Sequence, residues 1–303
     1  MLNLTFLGTA ASVPSRDRTM SCIGIRQDRA VTLFDCAEGS QRQLMISKLS
    51  FMKIDDIFIT HLHGDHVYGL PGLLQTMGMT GRKNPLRVFG PKGIAHCLEV
   101  MMSVCEGTLE YDLTVTELEA GDSVRLPKAT VTAFETSHGI PSLGYLYVED
   151  DGPGHFDKAK ALELGLKPGP EFSRLQAGET VNGVAPEQII GPPKRGMRIA
   201  YTGDTVPVPA IAQVSEGADV LIHESTYGPA ENELAQQHFH STCTDAAEAA
   251  RKAGVRMLML THVSNRYDDL TELENCAREI FENTVAVRDL DSFDVSANSI
   301  TQV

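Results

Sequence analysis

The sequence reads His61-Leu62-His63-Gly64-Asp65-His66 directly after an apolar run at residues 56–60, a run typical of a buried strand. Three imidazoles and one carboxylate so close together suit zinc, manganese or iron. Residues two apart on an extended segment point the same way, so His61 and His63 can hold one ion. Gly64 lets the backbone bend sharply, and Asp65 and His66 can then turn toward a second ion. This stretch therefore predicts a metal site at the end of a strand.

Four further candidate ligands follow predicted strands, and they are His138, Asp204, His223 and His262. A lone histidine at such a position is more often a hydrogen-bonded structural residue. Together with residues 61–66, however, these side chains can meet in one crevice at a sheet edge. The first ion would be held by His61, His63 and His138, and the second by Asp65, His66 and His262, with Asp204 bridging the two ions.

The composition is that of an ordinary globular chain, with 42% hydrophobic and 22% charged residues. The net charge of −14 argues against a surface coated with basic residues for binding nucleic acid. The six cysteines are scattered without a CxxC pair, which favours reduced thiols in a cytoplasmic protein over cysteine-bound zinc. We expect no signal peptide and no membrane span, because no apolar run reaches about 18 residues.

The order of the predicted elements indicates a mixed α/β fold. Alternating or apolar patterns predict strands at residues 2–7, 21–26, 30–35, 56–60, 86–89, 111–118, 128–136, 143–148, 198–201, 219–223, 255–260 and 284–288. Helical spacing predicts helices at 38–49, 66–79, 92–103, 241–252 and 270–281. Thr242 or Thr244 can cap the fourth of these helices, and Gly254 can end it. The two halves share this order, which predicts two mixed sheets packed face to face with helices outside.

Residues 149–195 differ from the rest because they are rich in glycine and proline and show weak apolar periodicity. A compact core has little use for so long a connection. Two interpretations remain open for this segment. It is either an ordinary disordered loop or an arm that projects from a single domain spanning residues 1–303 and makes its own contacts.

The predicted centre suits a phosphate ester. Two dications outweigh the combined charge of Asp65, Asp204 and a bridging hydroxide, so the site stays net positive toward a phosphodiester. Metal ions lower the pKa of water to about 7, and Asp65 can take or orient the proton.

A ribose alkoxide is a poor leaving group and needs a proton of its own. A candidate pair for this task is Glu224 with His240, in which the carboxylate keeps the imidazolium populated and correctly aimed. The alternative is that both residues only anchor their loops.

The stretch 61–66, with His138, Asp204 and His262, resembles the metal-binding motifs of the metallo-β-lactamase superfamily. The resemblance implies an αββα four-layer sandwich with two zinc ions at its edge. Residues 138–145, 202–205, 223–226, 240–242 and 261–267 are also similar to motifs of the ribonuclease Z family. That family implies an endoribonuclease that removes the 3′ trailer from precursor tRNA and leaves a 3′-hydroxyl on the tRNA.

Two more segments resemble this family. Residues 166–170 look like its flexible tRNA-binding arm, which implies substrate contacts at Lys167, Gly169 and Pro170 and from the nearby Lys158, Lys160 and Arg174. Residues 14–19 are similar to its Pro-x-Lys-x-Arg-Asn loop, which senses the CCA end, so Arg16 and Arg18 become candidate substrate contacts. Arg16 replaces the lysine of that loop and Thr19 replaces the asparagine. The resemblance further implies a homodimer in which the arm of one subunit serves the active site of the other.

Two alternatives to this function remain. One is a hydrolase of small phosphodiesters or thioesters on the same scaffold, which would not need the arm. The other is a non-catalytic RNA-binding or scaffolding protein with a structural metal site, although the completeness of the candidate ligand set speaks against it.

Overall fold

The computed structural model describes residues 2–104 and 107–303. The chain up to Val148 together with Met197–Val303 makes one compact unit, and Glu149–Gly196 makes another. Five cysteines are free thiols, and Cys105 lies outside the described residues. None of the helices within the described residues is long and apolar enough to cross a membrane.

The strands are β1 Leu2–Gly8, β2 Cys22–Gln27, β3 Ala30–Phe34, β4 Ile54–Phe58, β5 Leu86–Gly90, β6 Leu113–Glu117, β7 Ser123–Arg125, β8 Ala129–Glu135, β9 Leu143–Glu149, β10 Arg198–Tyr201, β11 Val220–Glu224, β12 Met257–Thr261, β13 Thr284–Ala286, β14 Ser292–Val295 and β15 Ile300–Gln302. One sheet has the order β15-β14-β1-β2-β3-β4-β5-β6, and the other has the order β13-β12-β11-β10-β9-β8-β7. Both sheets mix directions: β3 to β6 run parallel, as do β10 to β13. The pairs β1–β2, β2–β3, β1–β14, β14–β15, β7–β8 and β9–β10 are antiparallel.

The helices are α1 Ser40–Ile46, α2 Gly64–Val67, α3 Leu70–Met79, α4 Ile94–Ser103, α5 Lys158–Glu163, α6 Pro170–Gln176, α7 Pro209–Val214, α8 Asn232–Gln237, α9 Cys243–Ala253 and α10 Thr271–Arg278. Thr242 caps α9 through its hydroxyl, which accepts from the Asp245 amide at 3.2 Å, and Gly254 ends the helix with φ +61°. Both features of this helix were predicted from the sequence.

Alternating side chains of the strands separate the layers. A first cluster, with Phe6 of β1 and Ile222 of β11, lies between the sheets. A second covers the outer face of the first sheet with α1, α3 and α4, and a third covers the outer face of the second sheet with α7, α9 and α10. The prediction of two mixed sheets packed face to face, with helices outside, is confirmed.

The helix predicted at residues 66–79 is in fact two helices, α2 and α3. The break falls at Tyr68–Gly69, where the Gly69 amide donates to the Cys36 carbonyl at 2.9 Å. A Cβ built on Gly69 would lie 2.0 Å from the Ala37 carbonyl oxygen, so the chain must pass against this backbone without a side chain. This contact with a distant segment ends the first helix early.

The Glu149–Gly196 unit has a small core of its own. Asp157 caps α5 by accepting from the Lys160 amide at 3.0 Å, and Pro170 starts α6. Single β-bridges join Gly152 to Lys194 and Phe156 to Ile190 near the two ends of the unit. Its buried residues are Ala161, Leu166, Leu175, Val181, Val184 and Ile189. The segment therefore holds more regular structure than its composition suggests.

Candidate metal centre and its surroundings

The candidate centre lies where loops that follow strands of both sheets come together. His61 and His63 follow β4, and Asp65 and His66 belong to the short helix α2. His138 follows β8, Asp204 follows β10 and His262 follows β12. Because these strand ends meet at one edge of the sandwich, seven residues distant in sequence become neighbours.

The first group consists of His61, His63 and His138. Nδ1 of His63 lies 3.1 Å from Nε2 of His61 and 3.1 Å from Nε2 of His138. His61 and His138 are buried, whereas His63 is exposed. The site therefore opens to solvent on the side of His63.

The second group consists of Asp65, His66, Asp204 and His262. Oδ2 of Asp204 lies 3.4 Å from Nε2 of His66 and 3.3 Å from Nε2 of His262. The same oxygen lies 3.7 Å from Nε2 of both His61 and His138 in the first group. Oδ2 of Asp65 lies 3.5 Å from Nε2 of His262. Asp204 thus faces both groups, and Asp65 faces the second.

These donors fit divalent cations. Nε2 of His66, Nε2 of His262 and Oδ1 of Asp204 are buried without a hydrogen-bond partner. Such atoms are costly unless something satisfies them. Ligands about 2.0–2.1 Å from one ion at tetrahedral angles lie about 3.3–3.4 Å apart, which is the spacing of Oδ2 of Asp204 from Nε2 of His66 and of His262. The two groups therefore have the chemistry and the spacing of a metal centre.

Charge and burial inside the centre favour the ligand forms of Asp204, His61 and His138. Burial raises the pKa of the Asp204 carboxyl, but His262 and His66 outweigh burial and hold that pKa well below its ordinary value. Burial lowers the pKa of His61 well below its ordinary value, and the neighbouring His66 lowers it further. Burial likewise lowers the pKa of His138. An ionised carboxylate and neutral imidazoles are the forms that bind a metal.

Asp35 supports the second group, although the sequence analysis did not include it in the site. Its Oδ2 lies 2.8 Å from Nδ1 of His66 and accepts from the Tyr201 hydroxyl at 2.8 Å. Its Oδ1 accepts from the Thr60 amide at 2.8 Å. This carboxylate holds Nδ1 of His66, so that Nε2 faces Asp204. The backbone of Asp35 has φ +59°, an uncommon value for a residue other than glycine.

Glu224 and His240 form a buried pair beside the centre. Oε1 of Glu224 lies 2.8 Å from Nδ1 of His240, and Nδ1 of His240 lies 4.0 Å from Oδ2 of Asp204. Burial lowers the pKa of His240, but the Glu224 carboxylate outweighs burial and raises this pKa to about 9. Cations held nearby would oppose the positive charge and bring the pKa down toward neutrality.

Further hydrogen bonds fix the Glu224 carboxylate. It accepts from the Thr205 amide at 2.9 Å and from the Thr226 hydroxyl at 2.8 Å. The neighbouring His223 faces elsewhere, because its Nδ1 lies 2.7 Å from the Glu224 carbonyl oxygen. Among the described residues, neither group of candidate ligands includes His223.

The loop at residues 9–19 reaches the centre through its backbone. The Ser12 amide donates to Oδ2 of Asp65 at 2.9 Å. At the base of the loop, the Thr19 amide donates to Oδ2 of Asp289 at 2.7 Å. Arg16 is exposed on this loop.

The guanidinium of Arg18 is already engaged within the protein. It donates to the carbonyl oxygens of Val263, Ser264 and Tyr267 at 3.1, 3.2 and 2.8 Å. These carbonyls belong to the loop that follows His262. The contacts are those of a residue that holds two loops together, a role the sequence analysis did not consider beside substrate binding.

The predicted arm contacts lie on the surface of the Glu149–Gly196 unit. Lys167, Gly169 and Pro170 are all exposed. Gly169 has φ +108° and ψ −127°, a conformation that side chains rarely adopt, and Pro170 begins α6 directly after it. Lys158 and Lys160 are also exposed, whereas Arg174 pairs with Glu179 at 2.7 Å.

Family models match both halves of the chain. Residues 2–149 match a model described as anti-Pycsar protein Apyc1, and residues 179–263 match one described as β-lactamase superfamily domain. The chain is 42% identical to ribonuclease Z of Methanosarcina acetivorans, over 96% of this chain and 97% of that protein. It is also 42% identical to ribonuclease Z of Bacillus licheniformis, over 95% of this chain and 97% of that protein.

Solved structures give the same result. Human tRNase Z, short form, superposes with a TM-score of 0.72 at 28% identity, covering 97% of this chain and 99% of that chain. A diphosphatase of the PhnP family superposes with a TM-score of 0.67 at 15% identity, covering 98% of both chains, which shows a shared fold only. The two packed sheets with a histidine and aspartate cluster at their edge define a protein of the metallo-β-lactamase fold. Within that class, the chain belongs to the ribonuclease Z family.

Proposed function

We propose that the protein is a zinc-dependent endoribonuclease that removes the 3′ trailer from precursor tRNA and leaves a 3′-hydroxyl on the tRNA. Membership of the ribonuclease Z family supports the substrate. The buried pair of Glu224 and His240 beside the candidate centre carries the chemistry, because a ribose oxygen leaves only with a proton. Hydrolysis of a thioester or of an aryl phosphodiester would not need such an acid, because a thiolate or a phenolate leaves as the anion.

The seven candidate ligands would hold two zinc ions, with His61, His63 and His138 on one ion, Asp65, His66 and His262 on the other, and Asp204 on both. The unpartnered buried nitrogens of His66 and His262 support this assignment. Bound cations would supply Lewis acidity and bring the pKa of water to about 7.

Two residues of this chain then carry out the two proton transfers. Asp65 accepts a proton from the attacking water, with its Oδ2 held by the Ser12 amide at 2.9 Å. The water oxygen forms a bond to phosphorus and remains on the 5′-phosphate of the trailer. The bond from phosphorus to the 3′-oxygen breaks, and His240 donates a proton to that oxygen. Glu224 holds the imidazole of His240 in the orientation this transfer requires.

A cleavage assay tests the function directly. Purified protein is incubated with precursor tRNA labelled at its 5′ end, with and without a chelator. We expect one cut at the boundary of the trailer, a 3′-hydroxyl on the labelled product and loss of activity in chelator. Adding zinc, manganese or iron back to the chelated protein identifies the metals that restore cleavage. An uncut precursor, together with turnover of a small phosphodiester, would contradict the proposal and favour the alternative hydrolase.

We also propose that the Glu149–Gly196 unit binds the tRNA body at Lys158, Lys160, Lys167, Gly169 and Pro170. The unit lies between the paired strands β9 and β10, in which Val148 is the partner of Arg198. A two-residue Asn-Gly turn can therefore replace residues 150–196 without changing the register of the strands. The exposed lysines carry the positive charge that phosphate contacts require.

Removing this unit is expected to lower kcat/KM for precursor tRNA by about 100-fold, through the loss of several phosphate contacts. Hydrolysis of bis(4-nitrophenyl) phosphate should change little, because so small a substrate reaches only the metal centre. A matched variant with Lys158, Lys160 and Lys167 changed to glutamate should weaken tRNA binding in the same direction. Unimpaired tRNA cleavage by the deletion variant would show that the unit does not bind the substrate.

We further infer a cytoplasmic homodimer in which the unit of one subunit serves the partner subunit. Family resemblance supports the dimer, and the free thiols support a reducing compartment. Mixing the deletion variant with an Asp65→Ala variant tests the exchange. Cleavage should return when the subunits are mixed, because one subunit supplies the unit and the other supplies the active centre. Activity that stays lost in confirmed mixed dimers would exclude the exchange.

A further inference from the structure

Exposed aromatic rings are rare on the described part of this chain. Within residues 2–104 and 107–303, Tyr68 and Phe239 are the aromatic residues that count as exposed, at 65% and 47%. Leaving large apolar rings in water brings no stability to the fold. Both rings lie against loops that carry candidate metal ligands.

Phe239 lies between the first group of ligands and the proposed acid. Its carbonyl oxygen lies 2.7 Å from Nδ1 of His138, and it directly precedes His240 in the sequence. Its ring packs on Gly139, where a Cβ would lie 3.2 Å from Cδ2 of the ring. The backbone of Phe239 has φ +59°, which is uncommon for a bulky residue. Phe239 is therefore held, at a strained position, beside the residue that would protonate the leaving oxygen.

Tyr68 takes the corresponding place beside the stretch 61–66. Its ring packs on Gly64, where a Cβ would lie 2.3 Å from Cε2 of the ring. Gly64 lies between His63, where the centre opens to solvent, and Asp65, the proposed proton acceptor. A side chain at residue 64 would push the ring away, so this contact requires the glycine.

We propose that these two rings stack on the nucleobases on either side of the scissile phosphate. Phe239 stacks on the base of the nucleotide that keeps the 3′-hydroxyl, because it neighbours the acid that protonates this oxygen. Tyr68 stacks on the base of the first trailer nucleotide, on the side of Asp65. This inference rests on the proposed function. Stacking on aromatic rings is how single-stranded RNA is commonly held, and it tolerates any base.

A double-mutant cycle between protein and RNA tests the proposal. The protein variants are Phe239→Ala and Tyr68→Ala, and the substrates lack the base of the last tRNA nucleotide or of the first trailer nucleotide. Each alanine variant is expected to lower kcat/KM on intact precursor by about 5- to 150-fold. On the substrate that lacks the base stacked by the changed residue, the alanine variant should have nearly the same kcat/KM as the wild type. Phe239→Tyr and Tyr68→Phe should retain most of the activity, since each keeps a ring.

Controls separate stacking from folding and from the proposed function. Met79→Ala removes another exposed apolar side chain, 80% exposed at the end of α3, and should cleave like the wild type. Zinc content and melting temperature should stay unchanged in all variants. The stacking would be overturned if an alanine variant lowered kcat/KM by the same factor with and without the partner base. It would also be overturned if the variant lowered kcat/KM on neither substrate. Failure of the wild type to cut any precursor tRNA would instead contradict the proposed function.

Discussion

Replacing Asp65 with alanine is expected to lower kcat for precursor tRNA cleavage by about 10⁴-fold, because one change removes both a metal ligand and the proton acceptor. Oδ2 of Asp65 lies 3.5 Å from Nε2 of His262 and 3.7 Å from Nε2 of His66, within the second group. The affinity for precursor tRNA should stay close to that of the wild type if the Glu149–Gly196 unit binds the tRNA body as proposed. Single-turnover cleavage and fluorescence anisotropy measure the two quantities separately.

Two further variants make the Asp65 result specific. Asp65→Asn keeps an oxygen that can accept from the Ser12 amide but loses the negative charge, so it should fold normally and still be nearly inactive. Glu110→Ala removes an exposed carboxylate that pairs with Lys83, and it should behave like the wild type. Zinc content should fall in the Asp65 variants alone. Cleavage by Asp65→Ala at nearly the wild-type rate would remove this residue from the mechanism.

The stretch at residues 61–66 could be interpreted from sequence because its chemistry is local. Strand periodicity predicts His61 and His63 on one side, and the helix α2 begins at Gly64, where the sequence analysis expected a bend. The structure separates the stretch in that way, with His61 and His63 in one group and Asp65 and His66 in the other. Whether these residues bind zinc remains a prediction.

Residues that act through distant contacts could not be found in this manner. Asp35 looks like the polar end of an ordinary strand, and its partners Thr60, His66 and Tyr201 are all remote in sequence. His223 and His262 both follow apolar runs, so strand periodicity alone makes each of them a candidate ligand. The fold distinguishes them: His262 faces Asp204, whereas His223 faces the Glu224 carbonyl oxygen.

The strands also differ in how well the sequence predicts them. Long strands with clear apolar patterns were predicted within a few residues, but the short strands β7, β14 and β15 were missed. β14 has only four residues, and it joins the first sheet by pairing with β1 at the opposite end of the chain. Asn3 of β1 donates to Asp294 of β14 at 3.0 Å, so the pairing depends partly on polar contacts. Apolar periodicity does not report a strand of this kind.

The core of the Glu149–Gly196 unit was also not predicted from the sequence. Its glycines and prolines suggest disorder, yet six buried apolar residues close a small core around α5 and α6. These residues are spread over the whole segment, so no short window of sequence shows an apolar stripe. The unit also contains more acidic than basic residues. Binding of tRNA would therefore depend on where its lysines lie and not on its net charge.

The second large effect is expected at His240, whose change to alanine should lower kcat for precursor tRNA by about 10²- to 10⁴-fold. Nδ1 of His240 lies 2.8 Å from the buried Glu224 carboxylate, which leaves Nε2 as the donor to the 3′-oxygen. Glu224→Gln should cause a smaller loss in the same direction, because it removes the charge that keeps the imidazole protonated. His96→Ala removes a histidine that is 82% exposed and serves as the matched control.

The leaving group decides whether His240 acts as an acid or only supports the metal centre. A ribose alkoxide needs a proton, whereas 4-nitrophenolate is stable as an anion at neutral pH. If His240 donates that proton, His240→Ala should lose less than about 10-fold on bis(4-nitrophenyl) phosphate while losing far more on precursor tRNA. If His240 only held Asp204 or a metal ion in place, the two substrates would lose activity equally. Equal losses, with zinc content unchanged, would therefore remove the general acid from the mechanism and leave Glu224 without a catalytic purpose.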